Sequence, residues 1–543
     1  MNGAEYLCKI LENKGVKYIF GLFGDIQTDF AHAVRKSSLK WIGVHNEKSG
    51  GFMADIYARV SKTPGVIFST LGPGGTNLTS ALANATQDRS PLIAISDQVP
   101  LKDFHIESHQ YIDFEKAFAP QTGITKHTAV VRKIADLPQI FDNAFKIANT
   151  EPKGAVHISI PADILGMKCD KIKYKSSASS NVVSYPKSTL SYLRLLKKIS
   201  INGQALVIAG GSIERSEAER EFKSFIERFN LPVLTTFRGK NALPSKHPQN
   251  LGTISRHLAD VMDDVINAVS NIITLGYDYN EGVKPSLWKG KEKHVINIDN
   301  HDNRIKGIFY PPSLFGNIQN ILSKLNTENA PTHSNEFKFD KVRNIFTTAV
   351  DKALDVEHPY LHPKRIIEAV NKLYGDNSVI ICDVGLNKYY SGLLLESTEK
   401  NKILFSNGQS AMAFSSGALG AKLADPQKDV IVLVGDGGFL MNPQEVITAV
   451  QNKQAITWVI FNNGGLGLVE QAQKKQAPDT HGVIFSKVLF SKLAQSFGVY
   501  GKHIGQNDDI YSILAKVKKI KKSAIIDVLV EYTPRRKSYQ KHV

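Results

Sequence analysis

Two rhythms of apolar and polar residues alternate along this chain. Short apolar runs rich in Val, Ile and Leu end in glycine or polar clusters, and between them lie stretches with helical spacing. The first rhythm suits buried strands and the second suits helices packed on them. At the start of the chain the pattern predicts a helix over 4–15 and a strand over 18–24 that runs into a glycine turn. A helix over 25–36, a short strand over 41–47 and a helix over 48–60 follow. Next come a strand over 65–75 ending in a Gly-Pro loop, a helix from Thr76, and a strand over 91–100; the segment ends near 155–165. A second set of apolar runs lies at 205–211, 231–237, 271–276 and 294–299. A third lies at 378–385, 429–438, 455–463 and 524–532. Strand–helix alternation of this kind predicts parallel sheets with helices on both faces. The polar stretches 168–187 and 326–340 have little periodicity and read as linkers. The fold class expected is therefore α/β, with three doubly wound parallel-sheet domains at 1–167, 188–326 and 345–543.

Length agrees with that division, since 543 residues make about three domains of ordinary size. Hydrophobic residues at 42% and charged residues at 22% give the balance of a soluble globular protein. No apolar stretch reaches the roughly 20 residues that a membrane span needs. The N-terminal segment lacks the apolar run of a signal peptide. Cys8, Cys169 and Cys382 are widely scattered, which suits a reducing cytoplasm and forms neither a zinc motif nor a disulfide framework. The net charge of +16 raises nucleic-acid binding as a function class. The basic residues are spread along the whole chain, however, and no finger spacing or aromatic RNA motif accompanies them, so neither a nucleic-acid nor a membrane partner is expected. A lysine-rich solvated surface is the plainer reading, and its positive field would draw in anionic ligands.

Candidate chemistry concentrates in the third set of runs. The strand DVIVLVGDGGFLMN ends in Gly435-Asp436-Gly437, and the strand ITWVIF ends in Asn462-Asn463. The residues between them suffice for one helix and a return strand, so both polar clusters emerge at the carboxyl ends of strands in one sheet, where open α/β folds bind ligands. A hard cation such as Mg2+ takes oxygen ligands and usually binds through one or two carboxylates plus phosphates. Asp436 offers a carboxylate, Asn463 a side-chain carbonyl, and the loop around Gly465 a main-chain carbonyl. Gly437 and Gly438 would let backbone amides approach phosphate oxygens.

This pairing of GDG with NN resembles the signature of the thiamine-diphosphate enzymes. The resemblance implies that Asp436, Asn463 and the Gly465 carbonyl hold Mg2+, which holds the cofactor's diphosphate. It also names the first unit a pyrimidine-binding domain, the second a central domain and the third a diphosphate-binding domain. In the first unit, WIGVHNEKSGGFMADIYAR matches the segment carrying the family's catalytic Glu, here Glu47. By resemblance its carboxylate hydrogen-bonds a pyrimidine nitrogen and so promotes loss of the thiazolium C2 proton.

Four further stretches resemble the acetolactate synthase branch: TLGPGGTNLTSALANATQDRSPLIAISDQ, HIESHQYIDFEKAFAPQTGITKH, SNGQSAMAFSSGALGAKLADP and GDGGFLMNPQEVITAV. The match covers the first and third units nearly end to end and is looser over the second. It implies a decarboxylase and carboligase that takes pyruvate as 2-oxo acid donor, built as a homodimer or homotetramer. Gln110 is placed near substrate, and Met412 beneath the thiazolium. Gly24, Gly74, Asn77, Asn387, Gln409, Gly435, Gly437, Gly438 and Leu466 are placed around the cofactor. Three departures stand out. Asn387 replaces a frequent His, Ala472 stands where anabolic members carry Trp, and Tyr277-Asp278-Tyr279 occupies the position of a flavin-binding motif, so no FAD is expected. Two alternatives remain open at this stage: a simple 2-oxo acid decarboxylase or acyltransferase with an unusual acceptor, and a non-catalytic nucleotide-binding regulatory protein.

Overall fold

A computed structural model describes residues 1–169, 205–254, 266–267, 269–285, 294–327, 343–344, 347–348 and 360–532. Three six-stranded parallel sheets organise them. The first contains β1 (Tyr18–Gly21), β2 (Lys40–Gly43), β3 (Gly65–Ser69), β4 (Leu92–Gln98), β5 (His127–Val130) and β6 (Ala155–Pro161). The second contains β7 (Ala205–Ala209), β8 (Val233–Thr235), β9 (Asn250–Thr253), β10 (Asn271–Leu275), β11 (His294–Asp299) and β12 (Ser313–Phe315). The third contains β13 (Ser378–Cys382), β14 (Lys402–Phe405), β15 (Asp429–Gly435), β16 (Ile456–Asn462), β17 (Tyr500–Ile504) and β18 (Ala524–Leu529). The expected three-sheet α/β architecture is thus present. Most of both predicted linkers lies outside the described residues.

Strand order separates the sheets into two kinds. The first runs β2-β1-β3-β4-β6-β5 and the third β14-β13-β15-β16-β18-β17. Counted within each unit, these are the same order. The second runs β12-β11-β10-β7-β8-β9, which is the 3-2-1-4-5-6 order of dinucleotide-binding sheets when read from the other edge.

Five strands were not foreseen: β5, β9, β12, β14 and β17. Each lies at the edge of its sheet. An edge strand is paired on one side only, so its residues need not form a continuous apolar run. β5 is half-buried throughout and β17 is buried only at Ile504. The central strands β3, β4, β6, β7, β10 and β13 are buried at every residue, and all but β6, which the sequence marked only as the end of the first segment, were legible as apolar runs.

The first and third units also share a core. The helix Glu47–Ser61 buries eleven of its residues. Gly417 and Gly420 lie directly against the backbone of Phe52 and Met53, so the helix Ala418–Ala424 meets it with no side chain between. One continuous apolar cluster holds Phe52 and Ile67 together with Phe414, Val432 and Trp458. No described helix is long and apolar enough to cross a membrane.

Candidate active site

Glu47 does not end a strand. β2 stops at Gly43, and Glu47 is the first residue of its helix, whose N-cap Asn46 accepts the Lys48 amide through its side chain. A carboxylate there sits favourably against the positive end of the helix. Glu47 is 5% exposed, and its Oε2 accepts a hydrogen bond of 3.0 Å from the Asn77 amide group. Gly74 comes so close that a Cβ would lie 3.3 Å from Glu47 Oε1. The helical turn that carries these two residues spans Pro73–Asn77, starting earlier than the predicted Thr76. Gln110 sits outside this contact. It is exposed, has φ +59°, and packs on Gly72, where a Cβ would meet its own Cβ at 2.8 Å. The Gly24 amide donates 2.8 Å to Gln27 Oε1, beside Thr70. Gly24, Gly74, Asn77 and Gln110 therefore share the carboxyl end of the first sheet with Glu47.

The second half lies at the carboxyl end of the third sheet. β15 and β16 are neighbours, and Gly435 pairs with Phe461 in their register. That pairing delivers Asp436 and the Asn462–Gly465 loop side by side. Asp436 opens the short helix Asp436–Leu440 behind N-cap Gly435 and is 3% exposed. Its Oδ2 accepts the Gly465 amide at 2.9 Å, and its Oδ1 accepts the Gly437 amide at 2.9 Å. Burial raises the Asp436 carboxyl to about 6 against these donors, the state of an acid that a cation would relieve. Leu466 and Phe485 pack over Gly437. Asn463 is half-buried next to Gly467. Asn387 is buried at the ends of β13 and β15 and donates to the Asp383 and Leu433 carbonyls at 2.9 and 3.2 Å. Gln409 is exposed and Met412 half-buried, both on the loop after β14. Ala472 lies exposed on the helix Gly467–Lys474.

Among the described residues, no hydrogen bond links Glu47 to the Asp436 loop. The two halves nonetheless touch through residues that the sequence reading passed over. Glu445 of the third unit is 3% exposed. Its Oε1 accepts the His45 amide at 3.1 Å, and its Oε2 accepts the Thr448 hydroxyl at 2.6 Å, so it buttresses the turn that presents Glu47. Burial pushes its carboxyl up to about 7. Asp383, at the end of β13, is fully buried and raised by burial to about 6. It accepts the Ser415 hydroxyl at 2.5 Å and lies against Gly438. The strand-end rule that picked out Asp436 applies equally to Asp383, which closes the apolar run SVIIC. Glu445 has no such signal, because its role depends on a neighbour 400 residues away.

Metal chemistry fits this second half only with help from a ligand. No group of three or more His, Cys, Asp and Glu side chains that could hold a metal ion occurs among the described residues. The protein offers a buried carboxylate, an amide oxygen and a main-chain carbonyl, so phosphate oxygens would have to complete a Mg2+ site.

Comparison with known proteins agrees with the division into three units. Residues 1–117 match the family described as thiamine pyrophosphate enzyme, N-terminal TPP binding domain. Residues 193–325 match its central domain, and residues 383–528 its C-terminal TPP binding domain. The chain is 30% identical to a probable acetolactate synthase large subunit of Methanocaldococcus jannaschii, over 98% of this chain and 92% of that protein. It is 28% identical to the acetolactate synthase large subunit of Haemophilus influenzae, over 98% and 95% of the two chains. Against acetolactate synthase isozyme 3 large subunit of Escherichia coli it is 27% identical, over 98% and 95%.

Proposed function

The chain belongs to the acetolactate synthase large-subunit family of thiamine pyrophosphate enzymes, and on that footing we propose that it decarboxylates a 2-oxo acid, pyruvate first among them, and transfers the acyl group to a second carbonyl compound. The observation that carries this reading is the pair of half-sites at the carboxyl ends of two sheets of identical strand order. One bears the buried carboxylate of Glu47, and the other the all-oxygen set of Asp436, Asn463 and Gly465.

Thiamine diphosphate, held through its diphosphate at the Asp436 loop with its pyrimidine toward Glu47, would supply a carbon nucleophile and an electron sink for decarboxylation. The chain's own residues do the rest. Glu47 holds or releases a proton at the pyrimidine end, with Asn77 fixing its Oε2. Asp436, Asn463 and the Gly465 carbonyl would ligate Mg2+ and anchor the diphosphate. Burial around both carboxylates excludes water, which strengthens their electrostatic action.

Glu47 and Asp436 would have to serve opposite ends of one cofactor, and we assign that meeting to a homodimer, with a dimer of dimers as its larger form. Apolar side chains left exposed around each half-site support it. Leu22, Phe23 and Ile26 flank Gly24, while Met441, Val469 and Ile484 surround the diphosphate side. Patches of this kind mark interaction surfaces. The three free cysteines support a cytoplasmic setting.

A flavin does not fit the central unit. In a sheet of this order a dinucleotide would sit at the switch point between β7 and β10, its diphosphate on the turn after β7. The Gly211 amide in that turn already donates 2.8 Å to the Glu281 carboxylate, and the Ser212 hydroxyl donates 3.1 Å to Asp299. Both acids are buried. The chain's own carboxylates thus stand where the anion would be.

Calorimetric titration of thiamine diphosphate with Mg2+, followed by product analysis on pyruvate, tests the proposal. Saturable binding with acetolactate or a mixed acyloin as product is expected. Absence of binding would sink it, and acetaldehyde as sole product would make the protein a simple decarboxylase. Sedimentation of a fully active monomer would exclude the dimer, and stoichiometric flavin absorbance would exclude the flavin-free assignment.

A further inference from the structure

The loop that carries Gln409 and Met412 is a strap stretched between domains. It runs from Ser406, just after β14, to Ser415. Both ends are tied within its own unit, where Ser415 donates to Asp383 and the Lys388 ammonium donates to the Ser406 carbonyl at 2.7 Å. Beside Ser406 it is also tied to the first unit through Asp88, which follows the helix Thr79–Gln87 and is 2% exposed.

Asp88 Oδ1 accepts the Gly408 amide at 2.7 Å, and Oδ2 accepts the Asn407 amide at 3.2 Å. The same two oxygens face two guanidiniums. Arg59 Nη2 stands 2.9 Å from Oδ2, and Arg238 Nη1 of the central unit 2.9 Å from Oδ1. One carboxylate therefore joins all three units. Burial opposes its charge, but Arg238 and Arg59 hold it well below the usual carboxylate range. Arg59 reinforces the tie by donating 2.8 Å to the Phe405 carbonyl and lying 4.9 Å from the Phe414 ring centre. Asn84 accepts the Ser406 hydroxyl at 2.6 Å, and that hydroxyl oxygen in turn accepts the Ala411 amide at 3.0 Å.

The backbone bears the mark of this restraint. Ser410 and Ala413, on either side of Met412, have φ of +47° and +73°. Residues with a Cβ disfavour that conformation and keep it only where the surroundings over-determine it. Gly408 rests on Gln87 so closely that a Cβ would lie 2.7 Å from the Gln87 Cβ and 3.0 Å from its carbonyl oxygen.

We propose that Asp88 is a positioning residue which, through the Asn407 and Gly408 amides, sets the height at which the strap presents Gln409 and Met412 to the cofactor, and ties that height to the central unit through Arg238. This rests on the reading that the strap faces thiamine diphosphate. Among the described residues, Asp88 touches the strap directly and the helix of Glu47 through Arg59, and the Asp436 loop is not among its partners.

Three full-length variants test it. Asp88→Asn keeps the shape and removes the charge. Gly408→Ala lifts the strap off Gln87 and leaves every ion in place. Glu214→Gln is the control: Glu214 also bridges units, pairing with Lys62 and Lys402 at 3.6 and 3.0 Å, and among the described residues no hydrogen bond or ion pair joins it to the strap. In Asp88→Asn and Gly408→Ala, kcat should fall about 10–100-fold, as misplacement of a cofactor-facing group does. Affinity for thiamine diphosphate with Mg2+ should stay within about threefold, since an interaction felt only in catalysis leaves ground-state binding alone. In the cofactor-free protein, amide hydrogen exchange at 407–413 should speed up about tenfold or more, with 435–440 unchanged. Glu214→Gln should keep wild-type kcat and wild-type exchange in the strap.

Unchanged strap exchange, or kcat within about twofold of wild type in Gly408→Ala, overturns the proposal. So does an equal kcat loss in Glu214→Gln. Should Asp88→Asn fail to fold, Gly408→Ala decides alone. A wild-type protein that binds no thiamine diphosphate would overturn the functional reading and with it the strap's role. Unchanged exchange in a cofactor-binding protein would overturn the clamp only.

Discussion

The first and third sheets have the same strand order and draw their candidate site residues from the same four crossovers. After the first strand come Gly24 in one unit and Asn387 in the other. After the second come Glu47 in one, and Gln409 with Met412 in the other. The third crossover carries Gly74 and Asn77 in one unit and Asp436–Gly438 in the other. The fourth gives Gln110 in one, and Asn463, Gly465 and Leu466 in the other. On the proposed reading one framework carries two chemistries: a single acid at a helix start on one side, and an oxygen set for a cation on the other. The central sheet, of different order, has its carboxyl end filled by Glu281 and Asp299. Topology fixes where a site lies, and the residues in the crossovers fix what it does.

The sharpest way to break this division of labour is to exchange one residue in each half. Glu47→Gln should lower kcat about 1,000-fold, within the range for loss of general acid–base catalysis, and leave cofactor affinity nearly intact. Calorimetry beside steady-state kinetics reads both. Asp436→Ala should do the converse, weakening binding of thiamine diphosphate with Mg2+ about 100-fold or more by removing the only carboxylate in the set. Equal cofactor binding by Asp436→Ala and wild type would erase the contrast between the halves.

Glu445 probes the contact between the units. Its carboxyl is raised to about 7 in the folded chain from an ordinary value near 4.5. A raised acid contributes stability that is fully present below pH 4.5 and lost as pH rises through 7. The charged form is thus disfavoured in the fold by about 3 kcal/mol. Glu445→Gln, which imitates the protonated acid and keeps an acceptor for the His45 amide, should be more stable than wild type at pH 8 and equal to it near pH 4.5. Denaturant unfolding across that range reads the difference, and parallel curves for the two proteins would refute it.

The smallest effect concerns the acceptor. Ala472→Trp on the exposed helix after the Asn463 loop should penalise an acceptor bulkier than pyruvate about tenfold relative to pyruvate, measured as a ratio of kcat/KM values. An equal loss for both would make Ala472 an ordinary surface residue.

Much of this was readable before any coordinates. The buried central strands were continuous apolar runs, and the polar residues that follow them, Asp436 and Asn463, declared themselves by position, because open α/β sheets bind ligands at the carboxyl ends of their strands. Glu47 was found by resemblance, yet its setting was misjudged. The apolar letters of WIGV suggested a strand reaching the acid, whereas pairing with β1 ends at Gly43 and Asn46 starts a helix. Edge strands such as β5 and β17 were invisible for want of an apolar run.

What the sequence determined by itself, then, is everything set by local period and by strand ends: three α/β units, the central strands, and the candidate ligand set proposed at the third sheet. Only the tertiary structure decided the rest. It revealed that two sheets share an order and the third does not, that Glu281 occupies the turn after β7, and that Asp88 and Glu445 hold segments more than 300 residues away. These contacts are made by single polar side chains across unit boundaries. Spacing along the chain carries no record of them, because burial next to a distant backbone amide is what gives each carboxylate its role.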